Sequence, residues 1–503
     1  MELGELVRAS GLEAEVSGDA SVEVISLAYD SRAIEPGSLF FCVPGDQSDG
    51  HDFAAAAVEA GAVGLVCERP LDLGVSEVVV ADARAAMAPL AARFNGDPTS
   101  ELRMVGITGT NGKTTTAFLV RHLLESAGEQ CGLLGTVERV VGGERHEVER
   151  TTPEAIDLQA SFAEMLAAGD RACVMEVSSH ALVLHRADAI HFAAKAFTNL
   201  SQDHLDFHGD MERYFEAKRL LFTVEGGAPE FVIEGGVSVV NVDDEYGRRL
   251  AEDLGEGPEL VTYSTAGADA DLTARGVTYD ARSSSFVLLG PDGLECDVRT
   301  PLPGHFNVEN ALCSLGVALA LDLDLKAAAE ALADAPQVPG RFESVDAGQV
   351  FAVIVDYAHT PDSVQGVLEA ARRITGGRLL CVLGCGGDRD RDKRPLMGRA
   401  AASAADLTVI TSDNPRSEEP EAIIDEMLVG AREVESEAHE VVVEVDRRAA
   451  IRSALQAAAP GDTVVIAGKG HEQGQEFAGG EKLPFDDREV AREEVVALGG
   501  GGE

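Results

Sequence analysis

The sequence predicts an α/β protein of three domains: a small N-terminal α/β domain, a central parallel sheet, and a C-terminal doubly wound sheet. Three observations carry this. At 503 residues the chain is too long for one hydrophobic core. Short apolar runs alternate with longer helical stretches through most of its length, the pattern of a parallel sheet covered on both faces. The alternation is broken twice by stretches rich in proline, glycine and polar residues, "ARFNGDPTSELRM" (92–104) and "DAPQVPGRFE" (334–343). The breaks give domains at 1–97, 98–335 and 336–503.

In the first domain "SVEVISLAYDSR" (21–32) and "GSLFFCVPG" (37–45) read as strands, and "FAAAAVEAGAVGLVCE" (53–68) as helix then strand. In the second, "RMVGIT" (103–108) leads into the helical "KTTTAFLVRHLLESAG" (113–128). "RACVMEVSS" (171–179), "AAKAFTNLS" (193–201) and "VSVVNVDD" (237–244) follow as strands, and residues 271–304 read as antiparallel hairpins appended to that sheet. The third alternates "QVFAVIVDYAH" (349–359), "GRLLCVLGCGG" (377–387), "DLTVITSD" (406–413), "HEVVVEVD" (439–446) and "DTVVIAGKG" (462–470) with helical runs such as 361–374 and 447–459, a Rossmann-like arrangement. In such sheets ligands gather at the carboxyl ends of strands. Gly384–Arg389, Asp413–Arg416 and Gly468–Glu472 all fall there. The tail "LGGGGE" reads as frayed.

With 45% hydrophobic and 25% charged residues, the composition is that of a soluble globular protein. No run approaches the roughly 20 apolar residues of a membrane span, and "MELGELVRAS" lacks the features of a signal peptide. The 87 acidic against 41 basic residues give a formal charge of −46, a field that repels nucleic acid and anionic membrane, so neither is expected as a partner. It repels polyphosphates too unless salt screens it, which fits a salt-adapted source. Eight scattered cysteines without a CxxC pair read as buried free thiols in a reducing compartment, giving a cytoplasmic address. Lysine is rare: Lys113, Lys195, Lys218, Lys326, Lys393, Lys469 and Lys482 are all there are.

"GITGTNGKTTT" (106–116) follows a strand and opens a helix, the setting of a P-loop of ATPase type. Glycines let the backbone curl so that N–H groups and the helix N-terminus face phosphate oxygens. Lys113 then reaches the β and γ phosphates and the Thr114 hydroxyl ligates Mg²⁺. Ile107 stands where the common pattern has its first glycine; the bland alternative is a glycine-rich turn without a ligand. Glu176 ends the apolar "ACVME", either as a metal-holding carboxylate or as a solvated strand-end charge. "NLSQDHLDFHGDMERYFEAKRLLF" (199–222) offers Asp203, His204 and Asp206 before a helix carrying Lys218, which by itself reads as a helix-surface residue. In "DLTVITSDNPRSEEP" (406–420), a strand end holds Arg416 among Asp413, Glu418 and Glu419, either to grip an anionic ligand or to neutralise those two glutamates locally.

Taken with "MEVSSHAL" (175–182), "LPGHFNVENAL" (302–312), "VPGRFE" (338–343), "VDYAHTPDS" (355–363), "GCGGDRDRDKRPLM" (384–397) and "GKGHE" (468–472), these stretches resemble the Mur ligases, the ATP-dependent amide-forming enzymes of peptidoglycan precursor synthesis. The resemblance runs in order from about residue 25 to 490. The "DNPR" and "GKGHE" loops resemble the branch that adds meso-diaminopimelate to UDP-N-acetylmuramoyl-L-alanyl-D-glutamate.

The resemblance implies roles residue by residue. ATP would lie on Gly109, Thr110, Asn111, Gly112, Lys113, Thr114 and Thr115, with Asn307 and Asn310 near adenine and Arg341, Asp356 and Tyr357 reaching across from the last domain. Thr114 and Glu176 would hold one Mg²⁺; His204 and Lys218, the latter as a carbamate, would serve a second. Lys113, Glu176, His204 and Lys218 form the implied catalytic set. The uridine end of the sugar nucleotide would meet Ser31, Asp46, Gln47 and Ser48, and its sugar and peptide Thr151, Thr152, Ser178 and Arg186. Arg150 and Leu184 depart from the asparagine and glutamine of some relatives. Arg389 and Arg416 would clamp diaminopimelate carboxylates, since a guanidinium binds a carboxylate through two parallel hydrogen bonds. Asp413, Asn414 and Glu472 would take the ammonium ends, with Pro415 and Gly468 completing the pocket. A monomer acting on small molecules is expected. The alternatives are the same reaction with L-lysine, a relative such as folylpolyglutamate synthetase or cyanophycin synthetase, or a silent nucleotide-binding sensor.

Overall fold

The structure is a computed structural model and describes residues 1–45, 48–148, 150–223, 235–255, 259–280, 282–434 and 439–499. Three large sheets follow the chain in turn, and a two-stranded ribbon, Gln475–Glu476 with Lys482–Leu483, comes after the last of them. The first has five strands in the order Glu15–Ser17, Ser76–Val79, Gly64–Cys67, Ser38–Phe41, Ser26–Ala28, parallel apart from the first pair. The run expected to be one strand at 21–32 contributes only Ser26–Ala28 to it. Its first half pairs with the chain start instead, Leu3 N donating to Val22 O (2.9 Å) and Val24 N to Met1 O (2.9 Å).

The central sheet has eleven strands. Its parallel middle runs Leu260–Ser264, Val237–Asn241, Phe192–Phe197, Arg103–Thr108, Ala172–Glu176, Cys131–Leu134. The hairpins expected at 271–304 extend one edge through the antiparallel strands Leu272–Tyr279, Ser284–Leu289 and Glu295–Thr300. A parallel sheet buried on both faces needs continuous apolar runs, whose alternate side chains fill two separate cores. Val105 and Ile107 pack on one side with the helix Lys113–Ser126; Met104, Cys173 and Met175 pack on the other.

The last sheet orders Glu343–Ser344, Ala352–Asp356, Thr463–Ala467, Leu379–Leu383, Leu407–Ile410, Glu440–Val443, parallel except for the first pair. Leu379, Cys381 and Leu383 face one core, Leu380 and Val382 the other. Strand Arg103–Thr108 lies between strands that follow it later in the chain, a topological switch point, and the carboxyl end of strand Ala352–Asp356 meets the same crevice. Among the described residues no helix is long and apolar enough to cross a membrane. The eight cysteines are free, seven of them buried and Cys296 half-buried.

Candidate active site

Strand Arg103–Thr108 stops where Gly109 and Gly112 take φ of 145° and 86°, and helix Lys113–Ser126 begins. Both glycines are required by close approach: a Cβ on Gly109 would sit 1.9 Å from Thr198 Oγ1, and one on Gly112 2.4 Å from Asn310 Oδ1. Neighbouring strand ends hold the loop, Thr110 N donating to Asn199 O (2.9 Å) and Asn111 N to Asn199 Oδ1 (2.9 Å). Lys113 Nζ donates to Gly109 O and Thr110 O, both at 2.9 Å. Burial holds this amine below its ordinary pKa, against the pull of Glu176. The loop opens into a cavity of about 510 Å³ lined by Lys113, Thr114, Thr115, Glu176, His204 and Arg341, with Asn310, Asp356 and Tyr357 on its wall.

Glu176 is buried, with Thr114 Oγ1 donating to its Oε2 at 3.0 Å and Thr136 N to its Oε1 at 2.8 Å. Two hard oxygens this close, beside a phosphate loop, are the donor set Mg²⁺ takes together with substrate phosphates. Arg341, from within the second break, donates from Nη2 to the same Thr114 oxygen (3.1 Å) and stacks on Tyr357, 4.3 Å from its ring centroid. Asp356 accepts from Phe342 N (2.6 Å) and Ala358 N (2.7 Å), so its carboxylate shapes the turn beside that arginine. Asn307 and Asn310 are buried and bonded to each other (3.2 Å); Asn307 also donates to Pro303 O, and Asn310 accepts from Thr116.

Lys218 is not a surface residue. It is fully buried on helix Met211–Arg219, with Nζ 2.8 Å from Gly109 O and 4.5 Å from the Tyr214 ring centroid. Burial and then the nearby Lys113 charge drive its pKa well down, so the free amine is favoured. His204 takes a left-handed backbone (φ 54°), with its ring 4.8 Å from that of His180 and Nε2 3.4 Å from Asp203. Asp203 in turn reaches the last domain, 3.0 Å from Lys393 Nζ and 3.6 Å from His359. Burial pushes Asp203 up, but His359, His204 and Lys393 outweigh it and hold the carboxylate well below its ordinary range.

At the strand ends of the last sheet, Asp413, Asn414 and Glu472 converge on Lys469. Gly468 runs so close that a Cβ would lie 2.6 Å from Asp413 Oδ2. Pro415 lies against Gly387, where a Cβ would meet its carbonyl oxygen at 1.9 Å. Arg416 (φ 52°) donates from Nε to Glu476 (2.9 Å) and from Nη1 to Gly387 O (2.7 Å). Local neutralisation of Glu418 is corrected by this geometry: Glu418 is bonded to Arg394, at 2.7 and 2.9 Å, and to Asp388 N. Arg389 is exposed and donates to Asp388 O (2.9 Å).

Three Mur ligase family models together match most of the chain: "Mur ligase family, catalytic domain" at residues 23–95, "Mur ligase middle domain" at 107–318, and "Mur ligase, glutamate ligase domain" at 340–470. The chain belongs to the Mur ligase family. Among its relatives, a UDP-N-acetylmuramoyl-L-alanyl-D-glutamate–2,6-diaminopimelate ligase of Streptomyces coelicolor is 49% identical over 98% of this chain and 96% of that protein. One of the same name from Solibacter usitatus is 45% identical over 99% of both. A solved structure of a ligase of that name superposes with a TM-score of 0.69 at 32% identity, covering 99% of each chain. A Mycobacterium tuberculosis folylpolyglutamate synthase shares the fold, with TM-score 0.62 at 18% identity over 83% of this chain and 94% of that one.

In this Mur ligase the implied sugar-peptide residues cluster behind Glu176. Thr152 Oγ1 donates to Glu176 O (2.9 Å), Thr151 and Thr136 share a hydroxyl contact (3.0 Å), and Ser178 caps helix Ser179–Val183. Arg186 donates to Thr152 O (3.2 Å) and pairs with Glu154 (2.8 Å). The departing Arg150 pairs with the same Glu154 (3.1 Å). Ser31 opens a turn on the N-terminal sheet and Ser48 is exposed there; Asp46 and Gln47 lie outside the described residues. That domain is tied to the central one by Tyr29 Oη donating to Asp157 (2.7 Å).

The motif reading gave no role to Thr136, His359, Lys393, Lys469 or His471, whose Nε2 lies 3.2 Å from Thr136 O. Lysine scarcity was the available signal. Lys195, Lys218, Lys393 and Lys469 are all buried, where lysine is seldom found unless paired.

Proposed function

We propose that this Mur ligase joins meso-diaminopimelate to UDP-N-acetylmuramoyl-L-alanyl-D-glutamate with cleavage of ATP, as a step of peptidoglycan precursor synthesis. The observation that carries the reading is near full-length identity of 45–49% to ligases of that name, in a chain whose Asp413–Arg416 and Gly468–Glu472 loops face each other. The γ-phosphoryl group passes from ATP to the free D-glutamyl carboxylate, giving an acyl phosphate and ADP. The diaminopimelate amine attacks that carbonyl, loses a proton, and expels phosphate as the amide forms.

The chain's own part is positioning and charge neutralisation, which carry most of the barrier lowering in phosphoryl transfer. The Gly109–Thr115 backbone and Lys113 hold the phosphates, and Arg341 adds a charge from the last domain at Thr114. Mg²⁺, when bound, neutralises phosphate charge. Thr114 and Glu176 would hold one ion, and His204, with Lys218 as a carbamate, would serve a second. As an amine Lys218 is a poor cation ligand; its burial and lowered pKa favour the unprotonated form that takes up CO₂ to become a carbamate. Arg389 and Arg416 serve the substrate carboxylates. Free, mostly buried thiols support a reducing, cytoplasmic setting.

Amino-acid-dependent ADP release across meso-diaminopimelate, L-lysine and related diamino acids tests the reading. Diaminopimelate should give the highest kcat/KM; L-lysine outperforming it overturns the substrate assignment.

A further inference from the structure

We infer that Lys469 is a positioning residue of the amino-acid subsite: its ammonium fixes Asp413, Asn414 and Glu472 in one arrangement and sets the net charge they offer an incoming substrate. The inference rests on the reading of that loop cluster as the amino-acid site.

Lys469 sits between two glycines that the backbone requires. Gly468 (φ 116°) leaves no room for a Cβ against Asp413, and a Cβ on Gly470 (φ 54°) would lie 2.7 Å from Gly340 O and 2.8 Å from Tyr357 Cβ. The loop is thus wedged between the strand ends, and the lysine side chain turns inward until none of it is exposed. An ammonium has three N–H donors. All three are used, on Asn414 Oδ1 (2.8 Å), Glu472 Oε2 (2.9 Å) and Asp413 Oδ1 (3.4 Å). Asn414 closes the ring by donating Nδ2 to the same Glu472 oxygen (2.8 Å).

The charges decide the role. Asp413 and Glu472 bring two negative charges and Lys469 one positive. Arg447 behind them is neutralised by Asp487 at 2.7 Å, both fully buried. The cluster therefore offers one net negative charge, enough for one ammonium. Without Lys469 the buried Asp413 carboxylate and the half-buried Glu472 carboxylate would face each other uncompensated and would spread or draw in a stray cation.

The test uses the full-length enzyme. Lys469→Ala should raise the KM for meso-diaminopimelate at least tenfold while the KM values for ATP and the UDP-sugar dipeptide stay within twofold. Added ethylammonium, which fits the vacated space, should recover part of the loss. Lys469→Gln, which keeps two N–H donors without the charge, should raise the same KM and serves should the alanine variant not fold. An unchanged diaminopimelate KM in either variant, a parallel rise in all three KM values, or no ethylammonium effect on a folded Lys469→Ala enzyme overturns the inference. Wild type assayed beside them isolates the underlying reading: wild type that uses L-lysine but not diaminopimelate sinks the substrate assignment, while the variants still report on Lys469 with whichever amino acid is used.

Discussion

At the scale of single residues, the site is a place where groups are held in states they avoid elsewhere. Arg416 adopts φ 52°, a backbone region disfavoured for side chains with a Cβ, and its guanidinium contacts are Glu476 and a carbonyl oxygen. Such strain persists where surroundings over-determine it. Arg416→Ala should raise the KM for diaminopimelate at least tenfold, about 1.4 kcal/mol, since charge-assisted hydrogen bonds are worth roughly 1.5–3 kcal/mol. The KM for ATP should hardly move; equal rises in both would remove Arg416 from the clamp. Lys218 gives the second prediction. A carbamate is an anionic ligand on a lysine stem, so Lys218→Ala should be nearly inactive and partly restored by acetate or propionate, which can occupy the vacated place. Steady-state rates with and without the acid decide it, and no restoration counts against the carbamate. Sequence flagged Lys113 and Glu176 because each closes or follows a strand at the phosphate loop, whereas His204 and Lys218 took their roles from the family resemblance alone, Lys218 by itself reading as a surface residue. It gave Lys393 and Lys469 no role because partners that define theirs lie far along the chain, Asp203 190 residues from Lys393 and Asn414 55 from Lys469, with Glu472 alone close by in sequence. Such contacts are properties of the folded chain and leave no local pattern.

At the scale of elements, the apolar runs were legible because both faces of a parallel strand are buried, so each run is apolar throughout. Helix 361–374 is placed as read, Thr360 capping it and Pro361 at its first position. Strand order was not legible: it depends on which edges the crossing helices leave open. The short strands Glu15–Ser17 and Ser26–Ala28 blur because three residues carry little periodicity. How the last helix, Asp487–Gly499, is fastened could not be read either. Its first residue pairs with Arg447 at the head of helix Arg447–Ala457, and that guanidinium also donates to Ala467 O (2.9 Å) beside Gly468. Removing one member of a fully buried pair strands the other, at a cost of about 3–5 kcal/mol. Asp487→Ala should lose that much in denaturant unfolding and loosen the floor under the amino-acid subsite. A loss of about 1 kcal/mol or less, the scale of an exposed pair, would show that water reaches Arg447.

At the scale of the whole molecule, two long-range effects oppose each other. The last domain is held to the central one at Thr114–Arg341, Asp203–Lys393 and Thr136–His471, contacts that border the cavity over the phosphate loop. Against them stands the net charge. If each of the 41 basic residues neutralised one of the 87 acidic residues, 46 carboxylates would remain, so repulsion between like charges outweighs attraction between opposite ones over the chain as a whole. Salt weakens both kinds, but exposed pairs contribute only about 0–1 kcal/mol each, and buried ones are screened little. The balance therefore moves toward the folded, closed form as ionic strength rises. Adding KCl from about 0.1 M to about 1 M shortens the Debye length from about 10 Å to about 3 Å. Over that range the melting temperature should rise and the KM for ATP, itself a polyanion approaching an acidic protein, should fall. Chloride is the anion to use, because sulfate strengthens apolar burial by a separate route. A melting temperature that falls steadily across the range would mean that surface ion pairs, and not the 46 surplus carboxylates, dominate the electrostatics of this ligase.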